Sequence, residues 1–491
     1  MTMTHTHMRT AVAAAVLGAA IVSCKASDLN IPNPNSATVS GASADPTALQ
    51  LLATGLLVDQ RGTRAGFITN AGVLGRESYT FTPQEGRNVT HPLLGIVING
   101  IQKLDPTGFA TGPWGGEYGT LRDVFNFKNS VAGIATLSSA QKAAATGLAQ
   151  TVEALMLLEI VQTHDTLGAI VEIKENPTDL APFVTRDSVY KYILNTLDAA
   201  SASLAAGGSA FPFALPPGYA GFNTPTTFNQ FNRALKAKAA ANYATAGGGT
   251  TAWQAALTAL GASFLNAGAT TRSALDVGVY DTYGASPDTP NGLTQATNTS
   301  LYAHASFLTD AQLKADGTPD NRYLAKIRTG LPLRTGPSTS AGPTTGSSTL
   351  GFSIWPTIAS NIPIIRNEEL ILLRAEAKLG TGDKAGAIAD LNIVRQNSGG
   401  LPASTLTAAS SNDDIVNGVL YEKRYSLMME GDRWIDARRY GKLNTLPLDI
   451  ATGANKNFVA KVNPIPQGEC LVRANSTGAL RGPNGQDNCA P

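Results

Sequence analysis

The chain is poor in charge, in histidine and in cysteine, and each shortage removes a class of function. Of 491 residues, 15% are Asp, Glu, Lys or Arg, well below the roughly 25% of an ordinary globular protein. Lys and Arg number 37 against 36 Asp and Glu, leaving a formal net charge of +1. A nucleic-acid binder needs a basic face, and this balance offers none, so no nucleic-acid partner is expected. Five histidines occur. His5 and His7 fall in the N-terminal leader, and His91, His164 and His304 lack metal-ligand spacing. There is no G-x-S-x-G, H-E-x-x-H or G-x-x-x-x-G-K. "GTGDKAG" joins two helical patterns instead of following a strand, so it reads as a turn. "DGTPDN" (316–321) lacks the carboxylates of an EF-hand loop. His164-Asp165 is half a triad without an activated serine, and a glycosidase pair built around Glu368-Glu369 would be assembled only in space. The expectation is a protein without catalysis, metal or cofactor.

The three cysteines are Cys24, Cys470 and Cys489. Arg9 precedes a 12-residue apolar run, Ala11 to Val22, that ends in Ile21-Val22-Ser23-Cys24. The run is too short to span a bilayer and fits the h-region of a secretory signal. Small residues before a cysteine resemble a bacterial lipobox. Residues 1–23 are thus expected to be a signal peptide and Cys24 a lipidation site, with the acyl chains holding the protein firmly to a membrane. No later segment is expected to span one. Residues 24–48 have Pro, Asn and Ser without periodicity and read as an extended tether. Export places Cys470 and Cys489 in an oxidising compartment, so a disulfide between them is the default and two free thiols the alternative. Such a tie could add roughly 3 kcal/mol to the Gly- and Asn-rich tail.

Beyond the tether, helical periodicity dominates, and residues 49–491 read as one domain. "TRDSVYKYILNTLDAASASL" places Val189, Ile193, Leu197, Ala200 and Leu204 three and four apart. Trp253, Leu257, Leu260 and Phe264 form another stripe. Trp114, Trp253 and Trp434 lie in such patterns and are expected in the core. The clearest unit is a helix from about Asn367 to Leu379, a Gly-rich turn in which Asp383 caps the next start, and a second helix to about Asn397. Each alone would leave an apolar stripe wet, so the two must pair, with Ala375, Ala377, Ala385 and Ala389 allowing close approach. The unit is similar to a tetratricopeptide repeat, and stacked copies make a scaffold. From about 269 to 357 the chain turns loop-rich, and long irregular segments are commonly functional.

The densely charged "YEKRYSLMMEGDRWIDARRYGKL" (421–443) reads as amphipathic helix broken at Gly431. Glu430 and Arg433 stand three apart, as do Asp436 and Arg439, the spacing of helix ion pairs. These charges are expected to fix packing between hairpins.

This segment also resembles the "ER-x-x-EL-x-x-EG-x-RW-x-DL-R-R" stretch of the SusD/RagB family of surface nutrient-binding lipoproteins. Lys423 stands where Arg is usual, and Ser426 where an acidic residue is common, which removes one ionic contact. The hairpin "EELILLRAEAKLGTGDKAGAIADLNIVRQNSGGLP", the closing "NPIPQGE" (463–469) and "DLNIPNPNSAT" after the lipobox resemble the family too. So does "WGGEYGTLRDVFNF" (114–127). The likeness is strong over Ile365 to Glu469 and Cys24 to Thr38, and diffuse between.

The resemblance implies a mainly α fold of tetratricopeptide-like hairpins bearing a variable ligand face. It implies a lipid-anchored outer-membrane protein that delivers a glycan, or sometimes a peptide, to a SusC-like TonB-dependent transporter. A structural or adaptor lipoprotein is the alternative. Aromatic rings cover sugar C–H faces while polar side chains pair hydroxyls. The loop region offers Tyr280, Tyr283, Asn298, Tyr302, Phe307, Asp320, Arg322, Tyr323 and Trp355 as candidates, each equally able to anchor its loop. The family's ligand residues lie where the chain does not align and are not carried over.

Overall fold

Helices carry the fold in the computed structural model, which describes residues 46–98, 100–296 and 298–474. The signal segment, Cys24, most of the tether and Cys489 lie outside the described residues. Cys470 takes part in a disulfide. In chain order the main helices are α1 (Pro46–Leu74), α2 (Arg87–Leu94), α3 (Gly115–Gly133), α4 (Ser139–His164), α5 (Arg186–Ala205), α6 (Pro225–Tyr243) and α7 (Gly249–Gly261). They continue with α8 (Asn367–Gly380), α9 (Lys384–Asn397), α10 (Asn412–Ser426) and α11 (Arg433–Arg439). Strands among the described residues run two to five residues and occur only in two-stranded pairs.

α4 is the central stave. Ser138 opens it with a capping box, accepting from the Gln141 N–H while the Gln141 side chain accepts from Ser138. From Ala144 to His164 nearly every residue is buried, and a helix apolar all round must be enclosed. Within Ser139–Leu167 an 18-residue window is apolar enough to cross a membrane, with mean hydropathy 1.4. This corrects the expectation that no segment after the leader has that composition. The cause is its place: 89% of that window is buried within the protein, sheathed by α3, α5 and α6.

Successive helices pack in turn, α3 on α4, α4 on α5, α5 on α6, α6 on α7, and α8 on α9, while α8 also meets α6, α7 and α10. The five apolar positions read in α5 are all buried, as are the three tryptophans. In the α8–α9 unit, Asp383 accepts from the Gly386 N–H at 2.8 Å, and Gly382 turns the chain at φ +96°. Ala375 packs with Leu391 of α9 and Ala377 is buried in the scaffold core, but Ala385 and Ala389 face water and Ala387 takes the inward position. Gly380 is tight for another reason: a Cβ there would be driven into the Trp253 indole.

α1 joins two cores. Leu49, Ala53, Leu56 and Leu57 pack into the helical scaffold. Phe67, Ile68 and Leu74 pack with Tyr425, Met428 and Trp434 under the loop-rich region. That region is pinned by strand pairs: Ser78–Thr80 runs antiparallel to Leu301–Ala303, and Gly278–Asp281 to Ile362–Arg366.

The charged stretch is the ionic seam of this second core. α10 ends at Ser426 and α11 begins at Arg433, with Gly431 between them at φ +97°. Lys423 lies 3.0 Å from Glu376 and 2.7 Å from Asp436, and Arg439 reaches the same two carboxylates. The Asp436–Arg439 pair is therefore made. The Glu430–Arg433 pair is not, because residues 427–432 are not helical and the three-residue spacing has no meaning there. Glu430 instead pairs with Arg366 at 2.7 Å, and Arg433 donates to the Arg76 carbonyl at 3.3 Å. Ser426 replaces an ionic contact by a bridge: it donates to Glu368 at 2.7 Å and accepts from Arg322 at 3.0 Å. Burial alone would raise Glu368, but Arg366 and Arg272 outweigh it and hold the carboxyl well below its usual range.

Candidate functional site

The loop-region candidates turn inward. Phe307 is 0% exposed, Asp320 0%, Arg322 2%, Trp355 3%, and Tyr302 and Tyr323 each 4%. Tyr302 donates to the Pro332 carbonyl at 3.1 Å, and Phe307 packs edge-on against Tyr425. Tyr283 is buried beneath the Arg61 guanidinium, and Tyr280 is half-buried with its hydroxyl on the Asp276 carbonyl. Most of these side chains face the interior and anchor their loops. A long irregular segment loses much entropy on ordering, and large aromatic side chains supply the burial that offsets it. Asn298 comes nearest to a site, donating at 3.3 Å to the carbonyl of Gly292, which borders a cavity.

That cavity, about 800 Å³, opens where α1 and α3 meet the loop region. Its size suits an oligomeric small-molecule ligand. α1 and α3 touch at Thr63 and Gly116, whose Cβ position lies 3.1 Å from the Thr63 methyl. Beside this contact each helix presents glycines four apart, Gly62 and Gly66 on α1, Gly115 and Gly119 on α3, all lining the cavity. A Cβ at any of the four would meet no heavy atom within 4 Å. Helix-interior glycine, as at Gly62, Gly66 and Gly119, costs about 1 kcal/mol relative to Ala, and packing does not require these. They leave helical backbone bare to whatever fills the space.

One aromatic ring projects. Phe109 lines the cavity and is 41% exposed. The Arg87 guanidinium lies 4.3 Å from its centroid and the His91 ring meets it edge-on at 5.5 Å, which holds it in place. Trp114 and Phe67 line the wall but are buried. Among polar lining atoms, Asn70 Oδ1 and Thr80 Oγ1 have no hydrogen-bond partner, and an unmet polar atom out of water is costly.

Three carboxyl groups complete the lining: Asp59, Glu117 and Asp123. Burial first, then the adjacent Asp59 charge and a hydrogen bond with it, push Asp123 up to about 6. Glu117 is 3% exposed; burial raises it to about 7, against the pull of its own and the Trp114 N–H. It thereby closes the first turn of α3. Among the described residues no group of three His, Cys, Asp or Glu is arranged to hold a metal.

Sequence reading missed this site, although its signal is present. "TGPWGGEYG" (111–119) crowds glycines onto a helix start, and Gly62 and Gly66 sit four apart inside a helix.

Comparison with known proteins agrees with the fold. The SusD family profile matches residues 289–473. A SusD-like carbohydrate-binding protein from Bacteroides fragilis superposes with a TM-score of 0.62 at 16% identity, covering 87% of this chain and 98% of its own. A SusD-like protein from the same species gives 0.63 at 16% identity, covering 88% and 96%. A laminarin-binding SusD-like protein gives 0.59 at 15%, covering 86% and 97%. No curated protein matches the sequence. Residues 289–473 thus match the SusD family, and the fold of the whole is that of SusD-like proteins.

Proposed function

We propose that the chain is a lipid-anchored outer-membrane protein that captures an oligosaccharide and hands it to a SusC-like TonB-dependent transporter. The observation that carries this reading is the glycine-lined cavity. Two helices forgo side chains where nothing else would obstruct them, which makes room for a ligand to lie against the backbone. Phe109 supplies a ring for a sugar C–H face, and Asp59, Asp123, Asn70 and the threonines supply partners for hydroxyls. The lipobox at Cys24 supports the anchor, and the carbohydrate-binding relatives support the ligand class.

Calorimetry and a glycan array on the mature protein test the proposal. Saturable binding of a glycan that is recovered unaltered is expected, together with co-purification of an outer-membrane barrel. Binding of no glycan would overturn it, as would turnover of the bound glycan that is lost in Asp123→Asn.

A further inference from the structure

We infer that the cavity selects uncharged sugar chains and rejects those carrying carboxylate or sulfate groups. The inference rests on the capture reading above and specifies its ligand.

It follows from how charge is distributed around the space. Among the described residues, the lining holds Asp59, Glu117 and Asp123 but no Lys, Arg or His. Sites that recognise anions place Arg or Lys in contact with them, since a guanidinium meets a carboxylate or sulfate with two parallel hydrogen bonds. The Arg residues nearest the lining are engaged elsewhere. Arg61, next to the α1 lining residues, is paired with Asp288 at 2.7 Å. Arg64 is buried against Glu159 at 2.7 Å. Arg122, adjacent to Asp123, donates to the Lys174 carbonyl at 2.6 Å. Arg87 covers Phe109 but is paired with Glu85 at 2.6 Å. An anion entering the cavity would meet carboxylates and find no unengaged cation, so it would suffer like-charge repulsion as well as desolvation. A neutral chain meets no such barrier, because carboxylates accept hydrogen bonds from its hydroxyls.

The Asp59–Asp123 contact sharpens the discrimination. At pH 7.5 the solution lies above the titration of Asp123, which places its negative charge at the wall.

The test is titration calorimetry at pH 7.5 on the full mature chain with matched probes: neutral gluco-, manno- and xylo-oligosaccharides against oligogalacturonate, oligomannuronate and a sulfated galacto-oligosaccharide. At least one neutral probe should bind at least tenfold more tightly than every acidic one. Asp59→Asn/Asp123→Asn should narrow that ratio, and Asp59→Asn alone, on an exposed helix position, serves where the double variant does not fold. An acidic probe that binds as tightly as the best neutral one overturns the inference while leaving capture intact. An unchanged ratio in the folded variants overturns the role given to the carboxyl pair. Binding of neither kind overturns the capture reading and the inference with it.

Discussion

Arg322 Nη2 lies 2.6 Å from Asp320 Oδ2 with both side chains almost wholly out of water. Asp320 also caps the short helix Asn321–Lys326 through the Arg322 N–H, and Arg322 reaches Glu422 at 2.6 Å. Removing one member leaves a buried guanidinium short of a counterion, a loss of about 3–5 kcal/mol. Asp320→Asn should lower the denaturant midpoint accordingly, and the folded fraction should bind glycan with unchanged affinity, because neither residue borders the cavity. Weakened binding at unchanged stability would return both residues to the ligand face.

Glycine on α1 predicts effects of opposite sign. Gly62→Ala/Gly66→Ala should stabilise the protein by roughly 0.5–1 kcal/mol per site through helix propensity. The same variant should bind glycan more weakly, because two methyl groups now stand on the cavity floor. Paired thermal-melting and calorimetric measurements separate the two effects. A stabilised protein with full affinity would mean that the ligand lies elsewhere.

Phe109→Ala should cost about 1 kcal/mol or more of glycan affinity through loss of stacking. Its ring is 41% exposed, so thermal stability should change little. An affinity equal to that of the unsubstituted protein would remove the ring from the site.

Glu77 predicts a pH dependence. It is 0% exposed, and burial lifts it from an ordinary 4.5 to about 7, against the charge of Arg433. A carboxyl raised in the folded state binds its proton more tightly there than in the unfolded chain. Its contribution to stability is therefore complete below about 4.5 and is lost as pH rises through 7, on the order of 3 kcal/mol in full. Glu77→Gln should match the unsubstituted protein at pH 5 and exceed it at pH 8. Denaturant midpoints that fall equally in both proteins over that range would contradict the assignment.

Gly431→Ala should be strongly destabilising. The backbone there is left-handed at φ +97°, and a Cβ would be forced into the Phe67 ring. The backbone conformation costs about 1–2 kcal/mol and the overpacking about 1–3 kcal/mol. Chemical denaturation measures the sum, and a change below about 0.5 kcal/mol would argue that the α10–α11 junction differs from the one described.

The helical scaffold was legible because its signal is periodic. Val189 to Leu204 and the α8–α9 unit repeat apolar residues at a spacing that only one local geometry can bury. The charged seam was legible in kind but not in its pairs. Glu430 chooses Arg366, 64 residues away, and no local spacing encodes that. The burial of the ligand candidates was not legible for a related reason: exposed rings and loop anchors are the same residue types, and composition does not say which way Phe307 or Trp355 points. The cavity was hardest to see because it is made by what is missing. Gly62, Gly66, Gly115 and Gly119 carry no side chain to flag a site, and Asp59 and Asp123 become neighbours only when α1 and α3 meet.

The cavity takes Gly62 and Asp59 from near the start of the chain and Gly292 and Leu293 from beyond its middle. A ribosome-bound or partly exported chain that ends before residue 292 has the floor of the receptacle without its rim. Cargo can thus be enclosed only after the chain has been made and threaded through as far as Leu293, so possession of a bound nutrient would itself certify that the loop region has been delivered.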